Sequence, residues 1–255
     1  MPIDDIRSLR LADIRIALGL LSRLPVRVSD DEYSRAAAAS WAFPVAGAVI
    51  ACLVAGLASL LLVLDVPAPV AAALALASQI IMTGAMHEDG LADSADGLWG
   101  GWTTERRLEI MKDSHIGSYG VLALGLSLLI RFSALSALFA AGHVWAPLLI
   151  GAAASRVPMV VLMHWLDHAR KNGLSHSVGR PGKHPVGLAL GIAVILAFAL
   201  TGVVAFVLFI LLCLTTFACS AIASARIGGQ TGDILGATQQ VSEITILVVL
   251  AACCL

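Results

Sequence analysis

Residues 87–97 read His87-Glu88-Asp89-Gly90-Leu91-Ala92-Asp93-Ser94-Ala95-Asp96-Gly97, one imidazole and four carboxylates directly behind an apolar run from Val66 to Met86. On a helix turning about 100° per residue, Asp89, Asp93 and Asp96 fall within about 60° of one another, which would aim three carboxylates at one point. Like charges that close repel unless a cation lies among them. Hard divalent cations such as Mg²⁺ take oxygen ligands, commonly a few carboxylates with substrate phosphates completing the shell, and this trio supplies that donor set. The competing reading is a solvated helix end. Beside a membrane span, however, ionisable groups cost free energy unless paired or wetted, and that tilts the reading towards a metal or substrate role.

Phosphate chemistry needs cations as well as carboxylates, and three further polar segments supply them. Residues 98–117 contain Arg106, Arg107 and Lys112, which can neutralise phosphate oxygens, and Asp113, which stands just before the next apolar run. Thr103 or Thr104 can cap a short helix there, with Leu108 and Met111 packing inward and Glu105 and Glu109 left to solvent. The segment Arg226-Ile227-Gly228-Gly229-Gln230-Thr231-Gly232-Asp233 combines glycines that permit close backbone approach to a ligand with another oxygen donor at a helix start. Residues 166–185, with Asp167, His168, Arg170, Lys171, Arg180, Lys183 and His184, read as a flexible basic segment suited to an anionic substrate. Two more arginines, Arg131 and Arg156, lie inside apolar windows. Each needs a partner, whether a structural pairing or an anion, and Ser155 beside Arg156 favours the anion there.

The elements that must position these groups are membrane helices. With 59% hydrophobic residues, 13% charged and a mean hydropathy of +0.91, the chain exceeds what a soluble core of 255 residues needs. Windows long enough to cross about 30 Å of hydrocarbon fall at 36–64, 66–86, 118–141, 144–165, 186–201, 203–223 and 234–255, giving an all-α polytopic bundle of about seven spans, within a range of six to eight. The break between the fifth and sixth windows rests on Thr201-Gly202 alone. The arm at 1–35 and the loops 87–117, 166–185 and 224–233 then share one face and hold fourteen of the sixteen Lys and Arg residues, whereas the opposite connections hold none. The positive-inside rule makes the charged face cytoplasmic. Residues 4–24 interleave apolar and charged side chains and read as an interfacial amphipathic helix rather than a cleavable signal. Cys52, Cys213, Cys219, Cys253 and Cys254 fall in spans without a Cys-x-x-Cys pair and read as buried thiols. One membrane domain accounts for residues 1–255, and a net charge of −1 argues against nucleic-acid binding.

Several segments together carry a family resemblance: Arg23-Leu24-Pro25-Val26, residues 41–47 (Trp-Ala-Phe-Pro-Val-Ala-Gly), residues 87–97, residues 108–117 (Leu-Glu-Ile-Met-Lys-Asp-Ser-His-Ile-Gly) and residues 228–237 (Gly-Gly-Gln-Thr-Gly-Asp-Ile-Leu-Gly-Ala). In order and spacing they resemble the cobalamin synthase family, adenosylcobinamide-GDP ribazoletransferase, over nearly the whole chain. The chain departs from the family pattern at His115, where Arg is frequent, and at Gln240, where an acid is frequent, although Glu243 fits. The resemblance implies a Mg²⁺-dependent enzyme of the bacterial inner membrane, with cytoplasmic site loops. It would join adenosylcobinamide-GDP to α-ribazole, or to its 5′-phosphate, with release of GMP. It also implies contact with membrane lipid, and is compatible with a homo-oligomer or with association among enzymes of the same pathway. On this reading Asp89, Asp93, Asp96 and Asp233 are metal ligands, and Asp96 or Asp113 accepts the hydroxyl proton. His87, Arg106, Lys112, Arg156, Arg226 and Gly229 bind substrate. Two other readings of the residues are a CDP-alcohol phosphotransferase, whose Asp-Gly-x-x-Ala-Arg pattern this segment does not complete, and an ion-coupled transporter, whose acids belong near the midplane.

Overall fold

The computed structural model describes residues 10–254. The chain opens with α1 (Leu11–Leu21), α2 (Asp30–Tyr33), α3 (Ala36–Ala39) and a 3₁₀ turn, Ser40–Ala42, that feeds the long α4 (Phe43–Val63). Next come α5 (Ala68–Thr83), α6 (Met86–Gly100), α7 (Thr104–Ile110) and α8 (Ser118–Ala140). A nearly continuous pair follows, α9 (Trp145–Ala154) and α10 (Arg156–Trp165), then α11 (Leu174–Val178), α12 (Lys183–Thr201), α13 (Val204–Ile227) and α14 (Gly232–Cys254). Among the described residues six helices are long and apolar enough to cross a membrane, and α5 with α6 makes a seventh crossing when the bent pair is counted as one broken span.

Burial orders these helices into layers. The α9–α10 span has 83% of its apolar window buried and α14 has 67%, so these form the axis; α12 and α13, at 11% each, are the outer wall. One apolar core joins α1, α4, α10, α12 and α14, and a second fills the space between α4, α5, α8 and α9. Large side chains left outside, such as Leu122, Leu129, Ile195, Phe209 and Phe217, form the apolar outer surface that a lipid environment requires. Cys52, Cys213 and Cys253 also face outward, so these three of the expected buried thiols are not core residues, whereas Cys219 is half-buried against the core and the Cys254 side chain lies outside the described residues. A thiol in hydrocarbon needs no protein cover.

Contacts set the directions. Ser127 and Arg131 of α8 meet Gln240 and Glu243 of α14, so those helices run parallel and start at one end of the bundle. Glu88 meets Arg131 while Asp96 meets Gly117, so α6 runs antiparallel to α8. Ser155 meets Gln239 and Gly151 faces Leu247, so α9–α10 runs antiparallel to α14. The ends of α6 and α10 and the starts of α8 and α14 therefore lie together, and with them the charged loops.

The expected second span, 66–86, stops at Thr83. Gly84 and Ala85 both adopt left-handed backbone, φ 65° and 57°, and the chain turns 87° into α6. An alanine in that region costs about 1–2 kcal/mol, partly offset by the lower entropy of Ala in the unfolded chain. Ala85→Gly is therefore expected to leave stability unchanged or raise it by up to about 1 kcal/mol in a detergent melt; a loss would mean that the methyl group packs. The expected loop 87–117 is mostly helix, α6 and α7, because its small residues close against α14, α8 and α7. The expected flexible segment 166–185 is tied down: Arg180 pairs with Asp167 and donates to the His164 carbonyl, and Ser175 donates to Gln230. At the N-terminus the expected helix over 4–24 is α1, with residues 4–9 outside the described part. It packs on α3 and α4 through Ile16, Ala17 and Leu21, and buried Asp13 accepts from Trp41 Nε1 at 3.0 Å. Thr201-Gly202 is a true break, Gly202 taking φ 56° and ψ −126°.

Candidate active site

Glycine decides how α6 meets α14. A side chain at Gly90 would place its Cβ 2.9 Å from the Asp233 carbonyl oxygen and 3.1 Å from the Gly236 Cα, so the two backbones touch only because neither carries a Cβ there. That contact brings Asp89 and Asp93 beside the first turn of α14, where Asp233 stands. Asp93, half-buried, feels the negative charges of Asp89, Asp233 and Asp96 and the positive charge of Arg170. Gly90→Ala is expected to cost about 1–3 kcal/mol through overpacking, read as a lowered unfolding temperature, with activity falling further than stability because the acids move apart.

Opposite these acids, Arg170 donates through Nη2 to Asp233 Oδ2 at 2.9 Å, and Thr231 Oγ1 donates to the same oxygen at 3.1 Å. Arg170 Nη1 is buried with no partner, a donor facing inward beside the carboxylates. A short backbone bridge brings Arg170 there: the Gln230 amide donates to the Asp167 carbonyl at 2.8 Å and the Ala169 amide donates to the Gln230 carbonyl at 3.0 Å. Gly229 is buried against this bridge, where a Cβ would collide with the Asp167 carbonyl. Gln230 accepts from Ser175 through Oε1 and donates through Nε2 to His168 Nδ1 at 2.9 Å, which leaves the proton of neutral His168 on Nε2. Burial, with the nearby His176 and Arg180, holds the His168 pKa below its ordinary value.

Asp96 is placed differently from its helix mates. Its carboxylate accepts from the Gly117 amide at 2.7 Å and the Gly120 amide at 3.0 Å, capping the start of α8, and both glycines leave it the room a Cβ would fill. Asp96→Ala is expected to destabilise the protein by about 1–2 kcal/mol, read as a lowered melting temperature and faster amide exchange at the α8 start.

α7 forms as its sequence anticipates: Thr103 caps it, Met111 is buried and lies against Gly97. Arg107 and Thr104 donate to the Arg226 carbonyl, fastening α7 to the end of α13. The Arg226 side chain itself is exposed. Beyond α7 an open cavity of about 290 Å³ is lined by Arg106, Glu109, Ile110, Lys112 and Asp113. Arg106 pairs there with Glu109 at 2.7 Å. Asp113 holds the His115 ring at 2.6 Å, and that hydrogen bond lowers the Asp113 pKa and raises that of His115.

Below the acids the bundle interior is polar. Arg131 donates to Glu88 at 3.1 Å and lies 3.8 Å from Glu243; Gln79 and Gln239 each donate to Glu243 at 2.6 Å; Gln240 donates to Glu88 at 3.2 Å. Arg156, fully buried, donates to the Ala152 carbonyl at 2.5 Å. His87 is buried at the start of α6 with Nε2 unpartnered.

Of the residues singled out from sequence, the fold sets Asp89 and Asp93 of α6 alongside the first turn of α14 that carries Asp233, gives Asp96 to backbone amides, and sets Arg106, Lys112, Asp113 and Arg226 on the exposed rim. Arg156 and His87 lie in the bundle interior rather than at the loop end. Gly229 serves the bridge to residues 167–169. Sequence reasoning placed Arg170 in a basic segment suited to an anionic substrate but did not single it out as a site residue beside the acids. It left out the Glu88, Gln79 and Gln239 network, for which no local signal exists.

The donor set suits a hard divalent cation: three carboxylates that repel one another, Asp93 and Asp233 half-buried and Asp89 exposed, with the Arg170 guanidinium as neighbour. Among the described residues no three such side chains stand close enough to form a ligating group by themselves.

Comparison with known proteins agrees with the sequence motifs. The family model described as cobalamin-5-phosphate synthase matches residues 13–251. A protein of Bradyrhizobium diazoefficiens named adenosylcobinamide-GDP ribazoletransferase is 45% identical over 249 residues, 95% of this chain and 94% of its own length. Proteins of the same name from Mesorhizobium japonicum and Azorhizobium caulinodans are 42% and 43% identical, covering 94% and 93% of this chain and 92% and 94% of theirs. No solved structure matches. With the acid helix, the glycine-rich start of α14 and the multi-span bundle all inside the matched region, the chain belongs to the cobalamin-5-phosphate synthase family.

Proposed function

We propose that the protein is a Mg²⁺-dependent transferase that joins adenosylcobinamide-GDP to α-ribazole or its 5′-phosphate, completing the lower nucleotide loop of a cobalamin and releasing GMP. The observation that carries this reading is the close packing of α6 on the start of α14, Gly90 against Asp233, which sets Asp89 and Asp93 alongside the turn that holds Asp233 and its partner Arg170. The ribose hydroxyl attacks the phosphorus linked to cobinamide, the bond from that phosphorus to the GMP oxygen breaks, and the hydroxyl proton passes to a base.

Transfer at phosphorus asks a protein for positioning and charge neutralisation rather than covalent chemistry. When bound, Mg²⁺ supplies charge stabilisation at the pyrophosphate oxygens. Asp89, Asp93 and Asp233 would hold it. Arg170, whose Nη1 has no protein partner, binds a phosphate oxygen, and Arg106 and Lys112 on the rim guide the anionic substrate in. Of the two carboxylates considered for the proton, Asp113 is open to solvent, whereas both Asp96 oxygens accept from amides. Asp113 is therefore the base in this reading, its pH response coupled to His115. Fourteen of the sixteen Lys and Arg residues flank this end of the bundle in sequence, which supports a cytoplasmic site in an inner membrane, with lipid against the apolar outer wall.

The test is GMP and corrinoid product formation by purified protein in detergent, with both substrates and Mg²⁺, beside an EDTA control and an Asp113→Asn variant. The reading requires product that disappears with EDTA and falls about a hundredfold or more in the variant. Product formation that survives chelation would remove the metal, and full activity in Asp113→Asn would remove that residue as base.

A further inference from the structure

Three helices meet at one arginine at mid-depth in the bundle, and a fourth joins through Glu243. Arg131 of α8 is fully buried and reaches Glu88 of α6 and Glu243 of α14 through the same nitrogen, Nη1. Glu243 also accepts from Gln79 of α5 and from Gln239, and Gln239 donates onward to Ser155 Oγ at 2.9 Å, between α9 and α10. Glu88 accepts from Gln240, which takes a hydrogen bond from Ser127 at 3.2 Å. Both arms of the 87° bend are thus fastened to α8 and α14: α5 through Gln79, α6 through Glu88.

Cohesion alone does not account for this arrangement. Well-packed apolar side chains hold helices together as strongly as a buried ion pair, whose desolvation offsets its attraction. What a buried pair adds is register, because one sliding step leaves a carboxylate uncompensated. Register matters here because Glu88 adjoins Asp89 and precedes Asp93 by less than a turn and a half on the same helix. A rotation of α6 that parts Glu88 from Arg131 carries both aspartates away from Asp233. Glu88 Oε2 and Arg131 Nε and Nη2 are buried without hydrogen-bond partners, so the Arg131 Nη1 contacts are the hydrogen-bonded link, with the buried Arg156 a further electrostatic neighbour of both glutamates.

We infer that Arg131, with Glu88 and Glu243, is a positioning network that fixes the angle and register of α6 and so the approach of Asp89 and Asp93 to Asp233. It touches no substrate. It rests on the reading of those three carboxylates as the metal-holding set, and it extends that reading to residues deep inside the bundle.

The test is Mn²⁺ affinity of the purified full-length protein in detergent, from the free-ion electron paramagnetic resonance signal, together with the Mg²⁺ dependence of GMP release. The variants are Arg131→Met/Glu88→Gln/Glu243→Gln, which removes the three charges of the network at near-constant volume and leaves the buried Arg156 in place, Arg131→Lys, which retains the network's cation, and Asp93→Asn. The charge-free variant is expected to weaken Mn²⁺ binding by about tenfold or more, the effect usual for outer-shell partners of a metal site. The Mg²⁺ concentration giving half the maximal rate should rise by the same factor, while the rate at saturating Mg²⁺ changes less. Arg131→Lys should recover most of the affinity. If the charge-free variant does not fold, Glu88→Gln, which keeps the Arg131–Glu243 contact, carries the same comparison. Wild-type Mn²⁺ affinity in the folded network variants, with affinity lost in Asp93→Asn, overturns the positioning role and leaves the site reading standing. Wild-type affinity in Asp93→Asn overturns the site reading and the inference with it.

Discussion

Asp93→Asn is expected to reduce GMP release by about a hundredfold or more, because losing a metal ligand forfeits several kcal/mol of transition-state charge stabilisation and each 1.4 kcal/mol is tenfold in rate. The same substitution should not weaken the protein. Asp93 is half-buried among Asp89, Asp233 and Asp96, with Arg170 as the nearby cation. Asparagine keeps the shape and removes one of the repelling charges, so the metal-free variant should melt at the wild-type temperature or above it. Activity lost together with stability held or gained is the signature of a site whose charges serve function at the expense of the fold. A second readout follows from linkage: Mg²⁺ should raise the wild-type melting temperature and leave Asp93→Asn unmoved, since a ligand stabilises only the state that binds it. A variant that melts lower and still responds to Mg²⁺ would make Asp93 a structural residue.

The helical spacing of the aspartates behind an apolar run was legible in the sequence because that signal is local, although the segment as a whole read as a loop. The α7 cap and its buried Met111 were legible for the same reason, as was the count of about seven crossings. The bend at Gly84-Ala85 was not. The apolar window continues through it to Met86, and the turn depends on Gln79 and Glu88 finding partners in α14 and α8, 164 and 43 residues away. Asp96 shares the spacing of Asp89 and Asp93, yet its carboxylate caps α8, because the amides of Gly117 and Gly120 come within reach only once α7 has folded back. The segment 166–185 looked mobile by composition, and it is fixed by pairings with residues 230 and 233 that no periodicity announces. For Arg131 the sequence left pairing and anion binding open; the fold answers with two glutamates, one from α6 and one from α14.

That answer carries the second large effect. Arg131→Met removes the only cation within salt-bridge distance of Glu88 and Glu243 among the described residues and leaves two carboxylates in the bundle interior with only the more distant Arg156 as counter-charge. Breaking a buried pair from one side costs about 3–5 kcal/mol, far more than the pair contributes when intact, so the single variant should melt well below wild type or fail to accumulate. Adding Glu88→Gln and Glu243→Gln to it should recover much of the lost melting temperature, because amides accept the hydrogen bonds from Gln240, Gln79 and Gln239 without needing a counter-charge, while the buried Arg156, which loses the same two carboxylates as electrostatic neighbours, limits the recovery. The three substitutions are therefore strongly non-additive, as expected for side chains in one network. Arg131→Met losing less than about 1 kcal/mol would mean that water reaches the glutamates or that they take up protons, and the network would then lack the electrostatic stake that fixes its geometry. If stability recovers in the triple variant while Mn²⁺ affinity does not, the network's contribution lies in where it holds α6 rather than in how firmly it holds the bundle.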